Sequence, residues 1–247
     1  MRVCVSVAAV MTGVFASSIA FAADLPARLP TKAPAQIVAY NWSGIYAGVH
    51  GGYGWQSTQW DEVDPPPANE GTHIARGWLA GGQIGVNHQI GRFVVGVEAD
   101  ASWADLNGSN LSAAGFLTVN STHTDRLGML TGRVGVTFDR TLLYLKGGAA
   151  WVHNEYSAVD VNPANPTFNR TVVTADETRW GWVAGAGVEQ ALWDNWSARV
   201  EYAYIHLGRH VLAMNTDPAF SPGVVEGFKP FINVVKVGLN YRFQSWR

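Results

Sequence analysis

The chain nearly ends on the stretch NVVKVGLNYRF, residues 233–243, in which apolar side chains alternate with polar or small ones. One side of the alternation holds Val235, Val237, Leu239, Tyr241 and Phe243, and the other holds Lys236, Asn240 and Arg242. A period of two is typical of a β-strand with two unlike faces. In a soluble sandwich the apolar face would cover a core, whereas in a membrane barrel it meets lipid and the polar face lines the interior.

Seven further segments alternate in the same way, and each is long enough to cross a bilayer as a tilted strand, which takes about 9–11 residues. They span residues 42–55, 77–89, 93–103, 126–138, 142–153, 179–192 and 196–208. Three connections are short, at 90–92, 139–141 and 193–195, and four are long and polar, at 56–76, 104–125, 154–178 and 209–230. This arrangement predicts an all-β fold, an eight-stranded antiparallel up-and-down transmembrane β-barrel with short periplasmic turns and four long extracellular loops.

The polar faces of the predicted strands carry charged residues of nearly balanced sign. They are Glu98, Asp100, Arg133, Lys146, Glu189, Arg199, Glu201, Lys236 and Arg242. The same faces hold most of the strand glycines, although Gly weakens a strand that merely faces water, as in the alternative of a soluble sandwich. An eight-stranded barrel is only wide enough inside for side chains to fill it. Because buried charges are costly unless paired, we predict that these residues form an ionic network inside the barrel.

The apolar faces carry no Lys, Arg, Asp or Glu within the predicted spans. Aromatic residues gather toward the long-loop rim, at Tyr53, Trp55, Trp78, Trp103, Trp151, Trp180, Tyr204 and Phe231. A second set lies toward the short-turn rim, at Trp42, Phe93, Phe138, Trp196, Tyr241 and Phe243. Two such belts are expected where a membrane barrel meets the two lipid headgroup regions.

The start of the chain predicts export. A basic Met1-Arg2, an apolar stretch and an A-x-A pattern at Ala20-Phe21-Ala22 predict a signal peptide over residues 1–22. Residues 23–41 are rich in Pro and Ala and predict a periplasmic linker, which leaves residues 42–247 for the outer-membrane barrel. The only cysteine, Cys4, lies in the signal, so the exported chain has no disulfide. A formal net charge of −2 gives no indication of a nucleic-acid partner.

The chain resembles the small outer-membrane proteins of alphaproteobacteria, the porin-family surface antigens with an OmpA-like eight-stranded barrel. The resemblance rests on AADLP, NWSGIYAGVHGGYGW, GGQIGVNHQIGRFVVGVEAD, LTGRVGVTFDRTLLYLKGGAAW, GWVAGAGVEQALWDNWSARVEYAYIHLG and VVKVGLNYRF. It implies an abundant protein of the bacterial cell outer membrane that helps to hold the envelope together. Family members usually end on the aromatic residue of the last strand, here Phe243, whereas this chain continues through Gln244–Arg247.

The expected function is a non-enzymatic structural and surface role in envelope integrity. The alternatives are a porin-like small channel and a haem- or ligand-binding surface protein, since the resemblance implies both among relatives. His73, His123 and His210 are the candidate haem ligands. No motif places a Ser–His–acid cluster, and neither a catalytic residue nor a metal site is predicted. The implied partners are outer-membrane lipid and lipopolysaccharide, the barrel-assembly machinery and, through the linker, the cell wall.

Overall fold

The computed structural model describes residues 40–62, 68–112, 117–217 and 224–244, and the regular secondary structure in these ranges is all β-strand. The strands are β1 (Gly44–Glu62), β2 (Ala68–Ile90), β3 (Phe93–Leu111), β4 (Thr118–Phe138), β5 (Thr141–Asp160), β6 (Thr171–Ala191), β7 (Trp196–His206), β8 (His210–Thr216), β9 (Val224–Phe228) and β10 (Phe231–Gln244). Within the described ranges, no helix has the length and apolar character needed to cross a membrane. The predicted signal peptide and most of the predicted linker lie outside the described residues.

Eight of the strands close into a ring. Consecutive strands from β1 to β7 pair antiparallel, and β10 then pairs with both β7 and β1. At mid-strand, Lys236 of β10 lies opposite Glu201 of β7 on one side and Gly52 of β1 on the other. Closure gives the first and last strands the backbone partners that a sheet in lipid requires. The predicted eight-stranded antiparallel barrel is confirmed.

The predicted long loops are largely β-structure, so the predicted strand ends are wrong on that side. β1 and β2 extend to Glu62 and Ala68, and β3 and β4 extend to Leu111 and Thr118. β5 and β6 extend to Asp160 and Thr171. Their extensions escaped the sequence pattern because neither face is apolar, as in TVNSTHTD at residues 118–125. Backbone pairing continues there without a period-two contrast in hydrophobicity.

The fourth long connection, between β7 and β10, forms a β-hairpin from β8 and β9. β9 pairs with the far end of β1, where Phe228 lies opposite Trp60. β8 pairs with β6 at Val173 and Thr174. The hairpin therefore continues the ring beyond the ends of β7 and β10.

Between its pairing with β7 and its pairing with β8, strand β6 has a stretch without a ladder partner on that side, residues 175–181. We call this stretch the seam. Side chains bridge it: Arg179 Nη2 donates to the Leu207 carbonyl at 2.8 Å, and His210 Nε2 lies 3.2 Å from Glu177 Oε2. The wall is thus held there by side chains rather than by a backbone ladder.

The outer surface of the ring is apolar and flanked by aromatic residues, as the alternation predicts. Val49 is 64% exposed and Leu130 is 62% exposed, although both are aliphatic. Trp78 and Trp103 are about three-quarters exposed in the belt toward the long connections. Water would penalise such a surface, whereas a bilayer core and its headgroup boundary favour it.

Trp42 does not belong to the short-turn belt, so that assignment is wrong. Its side chain is fully buried and packs in a cluster with Val94, Leu142 and Tyr144. Tyr40, from the end of the predicted linker, meets the Trp42 ring edge-on at a centroid distance of 4.8 Å. These residues fill the short-turn end of the barrel, because the chain turns inward before β1 begins.

Candidate functional site

The structure places all nine of the predicted interior charges inside the barrel. Each of the nine residues is at most 6% exposed, because the closed sheet surrounds its side chain. They come from six strands, β3, β4, β5, β6, β7 and β10, and their side chains meet across the lumen. We call this group the ionic core.

Glu98 is one of two acids of the ionic core, with Glu201, that lie within ion-pair distance of three cations. Its Oε2 accepts a hydrogen bond from Arg199 Nη1 at 2.5 Å and lies 3.7 Å from Arg133 Nη1. Its Oε1 lies 3.3 Å from Lys146 Nζ. Tyr46 also donates its hydroxyl to Oε2 at 2.7 Å. One carboxylate on β3 thus joins three cations from three other strands.

Two lysines share two further carboxylates of the core, those of Asp100 and Glu201. Lys146 Nζ lies 2.8 Å from Glu201 Oε1 and 3.5 Å from Asp100 Oδ2. Lys236 Nζ lies 3.0 Å from Asp100 Oδ1 and 3.5 Å from Glu201 Oε1. Each of these four charges therefore has at least two partners of opposite sign, which offsets the loss of water.

Two tyrosines bracket the guanidinium of Arg133, whose carbon lies 4.6 Å from the ring centre of Tyr46 and 5.1 Å from that of Tyr144. Each ring covers a glycine directly opposite on the next strand, Gly85 or Gly187. A Cβ on either glycine would come within 2.5 Å of the tyrosine ring atoms. Glycine is needed here for close approach, and this explains part of the glycine enrichment.

The last two charges lie toward the short-turn end. Glu189 accepts from Ser197 Oγ at 2.5 Å and from Asn240 Nδ2 at 2.9 Å, and its other oxygen lies 3.3 Å from Arg133. Arg242 stacks over the rings of Tyr40 and Trp42 at 5.0 and 4.9 Å. Cation–π contact thus accommodates the one base in excess.

Above the ionic core, on the side of the long connections, the interior is apolar, which sequence reasoning missed. A single cluster there includes Leu79, Leu106, Leu127, Met129, Val152, Val183, Ile205, Ile232 and Val234, all buried. We call it the apolar layer. Strict alternation already puts Leu127 and Met129 on the same face as Arg133, so strand parity was the signal that could have found them.

The three candidate haem ligands are not brought together. His73 is buried in the barrel wall, where its ring nitrogens lie 2.8 Å from Asn110 Oδ1 and 2.9 Å from Thr122 Oγ1. Burial lowers the pKa of His73, while the Asn110 contact opposes that effect. Both ring nitrogens therefore have polar partners, and one of these contacts would have to break before the nitrogen could ligate iron.

The other two histidines have different surroundings. His123 is half-buried on the outer face of β4, and its Nδ1 lies 2.7 Å from Asn107 Oδ1. His210 lies at the seam beside Glu177. Burial raises the pKa of Glu177, and its two basic neighbours oppose that effect. The geometry therefore gives no haem-ligand pair from His73, His123 and His210.

A closed ring of eight strands with an apolar outside, aromatic belts and a filled interior defines the class of integral outer-membrane β-barrel proteins. Comparison with known sequences identifies the particular group. Residues 7–243 match the family described as outer membrane protein beta-barrel domain, and the chain belongs to this family.

Relatives of known name come from alphaproteobacteria. The chain is 31% identical to the 31 kDa outer-membrane immunogenic protein of Brucella melitensis, an alignment that covers 94% of this chain and 97% of that one. It is 32% identical to the 25 kDa outer-membrane immunogenic protein of Brucella abortus, with 92% of each chain covered. The predicted resemblance and the predicted outer-membrane location are confirmed.

The fold also resembles the outer membrane protease OmpT from Escherichia coli. The TM-score is 0.50, with 10% sequence identity, over 81% of this chain and 97% of that one. At that identity the similarity concerns the barrel fold alone. The names of the Brucella relatives describe outer-membrane immunogenic proteins and mention no enzymatic activity.

Proposed function

We propose that this protein is a non-enzymatic structural barrel of the outer membrane that presents its long connections at the cell surface and does not conduct. The observation that carries the proposal is the filled interior, an ionic core followed by the apolar layer. Both fillings come from strands all round the ring, so neither can leave the lumen as a loop could.

The two fillings oppose conduction in different ways. A water column would have to separate the paired charges around Glu98 and Lys146, which are at most 5% exposed. It would then have to pass side chains such as Leu106 and Ile205, which offer water no hydrogen bond. Eight strands are too few to leave space beside them.

The surface role is supported by the long ends of the barrel. Polar strand extensions and the β8–β9 hairpin stand beyond the aromatic belt, and short turns stand at the other end. In barrels of this kind the long ends face outward and the short turns face the periplasm. The word immunogenic in the names of the Brucella relatives fits exposure of such ends.

The proposal includes the three partners that the sequence implies. Lipid and lipopolysaccharide surround the apolar band, the assembly machinery inserts the barrel, and residues 23–41 reach the cell wall.

Conductance separates the structural role from the channel alternative. Purified protein in planar bilayers should give no steady conductance steps, and a double change of Leu127→Ala and Met129→Ala should allow small ones by opening the apolar layer. The matched control is Leu130→Ala, which truncates a lipid-facing side chain of the same strand. Steady conductance steps from the unmodified protein would contradict the proposal.

Envelope integrity is the second readout. Cells without the protein should become more sensitive to detergent, and the Leu130→Ala protein should restore resistance. Full resistance in the deleted strain would show that the barrel has no structural role.

A further inference from the structure

The outer face of β4 and β5, just beyond the aromatic belt, carries a group of side chains that neither the ionic core nor the fold requires. In β4, Thr124 pairs with Asn154 and Arg126 pairs with His153, so Asp125 is an extra residue at a bulge. A bulge re-aims a side chain, and here Asp125 Oδ1 comes to 2.6 Å from His153 Nδ1.

Glu155 completes the group. One ligand atom from each of Asp125, His153 and Glu155 lies within 4.8 Å of the other two. Asp125 and His153 are partly buried, each with 21% of the side chain exposed, while Glu155 is exposed. Two partly buried residues and one exposed residue thus offer one nitrogen and two oxygen donors.

The group opens onto a concave surface rather than a flat one. A groove of about 590 Å³ runs over the outer faces of β3 to β6, and His123, His153, Glu155 and Asp176 are among the residues that line it. An ion bound by three protein atoms would therefore keep positions open to water or to an anionic oxygen from outside.

The charges around the groove also favour a cation. Glu155 lies directly opposite Asp176 on β6, and like charges in that position destabilise a sheet. Among the described residues, neither Glu155 nor Asp176 forms an ion pair with a basic side chain. Asp125, by contrast, has Arg126 Nε 3.2 Å from its carboxylate.

We propose that Asp125, His153 and Glu155 bind a divalent transition-metal ion on the outer face of the barrel. An imidazole with two carboxylates suits Zn²⁺ and its neighbours, whereas Mg²⁺ and Ca²⁺ prefer oxygen donors alone. Binding replaces the hydrogen bond between His153 and Asp125: the imidazole proton moves to Nε2, and the Nδ1 lone pair meets the metal. The inference does not rest on the proposed closure of the lumen.

The test uses the folded full-length protein in an uncharged detergent, freed of metals by a chelator and titrated with Zn²⁺ in a calorimeter. We expect one ion per chain. His153→Ala should weaken binding at least about tenfold, since loss of an outer-shell partner alone commonly costs 10- to 100-fold. Asp125→Asn and Glu155→Gln should each weaken it as well.

The matched control is His88→Ala, which removes an exposed histidine of β2 near the opposite rim and should leave Zn²⁺ binding unchanged. Gel mobility before and after heating verifies that each variant is folded. Unchanged binding in folded His153→Ala protein would overturn the proposal. So would equal binding of Mg²⁺, because the carboxylates alone would then account for it.

Discussion

Carboxylates inside the barrel and on its outer face should contribute unequally to stability. Glu98 has contacts with three cations and a tyrosine, whereas Glu155 on the outer face meets solvent. Removing one partner of a buried ionic group leaves the others charged, unpaired and away from water. Removing a carboxylate should therefore lower the free energy of unfolding more inside the barrel than on its outer face.

Glu98→Ala is expected to lower the free energy of unfolding by about 3–5 kcal/mol, because three cations lose a shared partner. Urea unfolding in detergent, followed by tryptophan fluorescence, measures it. Glu155→Ala in metal-free buffer is the control and should change it by less than about 0.5 kcal/mol. Equal midpoints for the two variants would mean that the ionic core does not stabilise the barrel.

His73 should make stability depend on pH. Its folded-state pKa is lowered by burial, so below its usual value of about 6.5 the unfolded chain binds a proton that the folded chain resists. Stability is then fully present above that pH and is lost as the pH falls through the lowered pKa.

His73→Gln should reduce the loss of urea midpoint between about pH 7.5 and about pH 5. His88→Gln, at an exposed position of the same strand, should leave that loss as it is in the unmodified protein. An unaltered pH dependence in His73→Gln would remove His73 as its source.

At the scale of elements, the side chain of Asp160 adds three hydrogen bonds to the backbone hydrogen bonds that hold the connection from β5 to β6. Asp160 is fully buried and accepts hydrogen bonds from the Asn162 backbone at 2.8 Å, from Asn165 Nδ2 at 3.0 Å and from Thr167 Oγ1 at 2.5 Å. The Thr167 hydrogen bond is the main reason why the pKa of Asp160 lies below its usual value. The turn therefore depends on a charged acceptor.

Asp160→Ala should speed trypsin cleavage after Arg170, which is exposed at the end of this turn. The reason is that three donors lose their common acceptor and the turn opens more often. Gel analysis of a digestion time course measures the rate. Glu155→Ala on the same strand should cleave as slowly as the unmodified protein, and an equal rate for Asp160→Ala would contradict the assigned role.

At the scale of the whole molecule, ring closure joins every strand to two neighbours. β10 is decisive, because it supplies the partner of both β1 and β7. Without it two strands would present unpaired backbone to hydrocarbon, at several kcal/mol for each group. The barrel should thus fold in the membrane only when β10 is present.

Removal of residues 231–247 should abolish the heat-dependent mobility shift on a gel and remove the protein from the outer-membrane fraction. Removal of residues 245–247 alone should keep both, because the described strand ends at Gln244. If the shorter deletion also prevents insertion, the last residues take part in assembly, and the strand-ending signal is not Phe243 alone.

Local pattern was enough for much of this architecture. Period-two alternation in segments such as 233–243 predicts the strands, and the absence of charge on one face predicts lipid around them. Balanced charge at positions such as Arg133 and Glu201 predicts a buried network. Such patterns carry information because strand parity assigns each side chain to one of two media, and the media differ strongly in the free energy of a charge.

Other features depend on where the strands meet. The burial of Trp42, the β8–β9 hairpin, the apolar layer and the metal-ligating group at Asp125 all arise from the closed ring. Alternation along one strand predicts which face of the sheet a side chain lies on. It does not predict which residues of the other seven strands lie at the same level along the barrel axis. That level depends on strand register and on bulges such as the one at Asp125, and both are determined only when the ring closes.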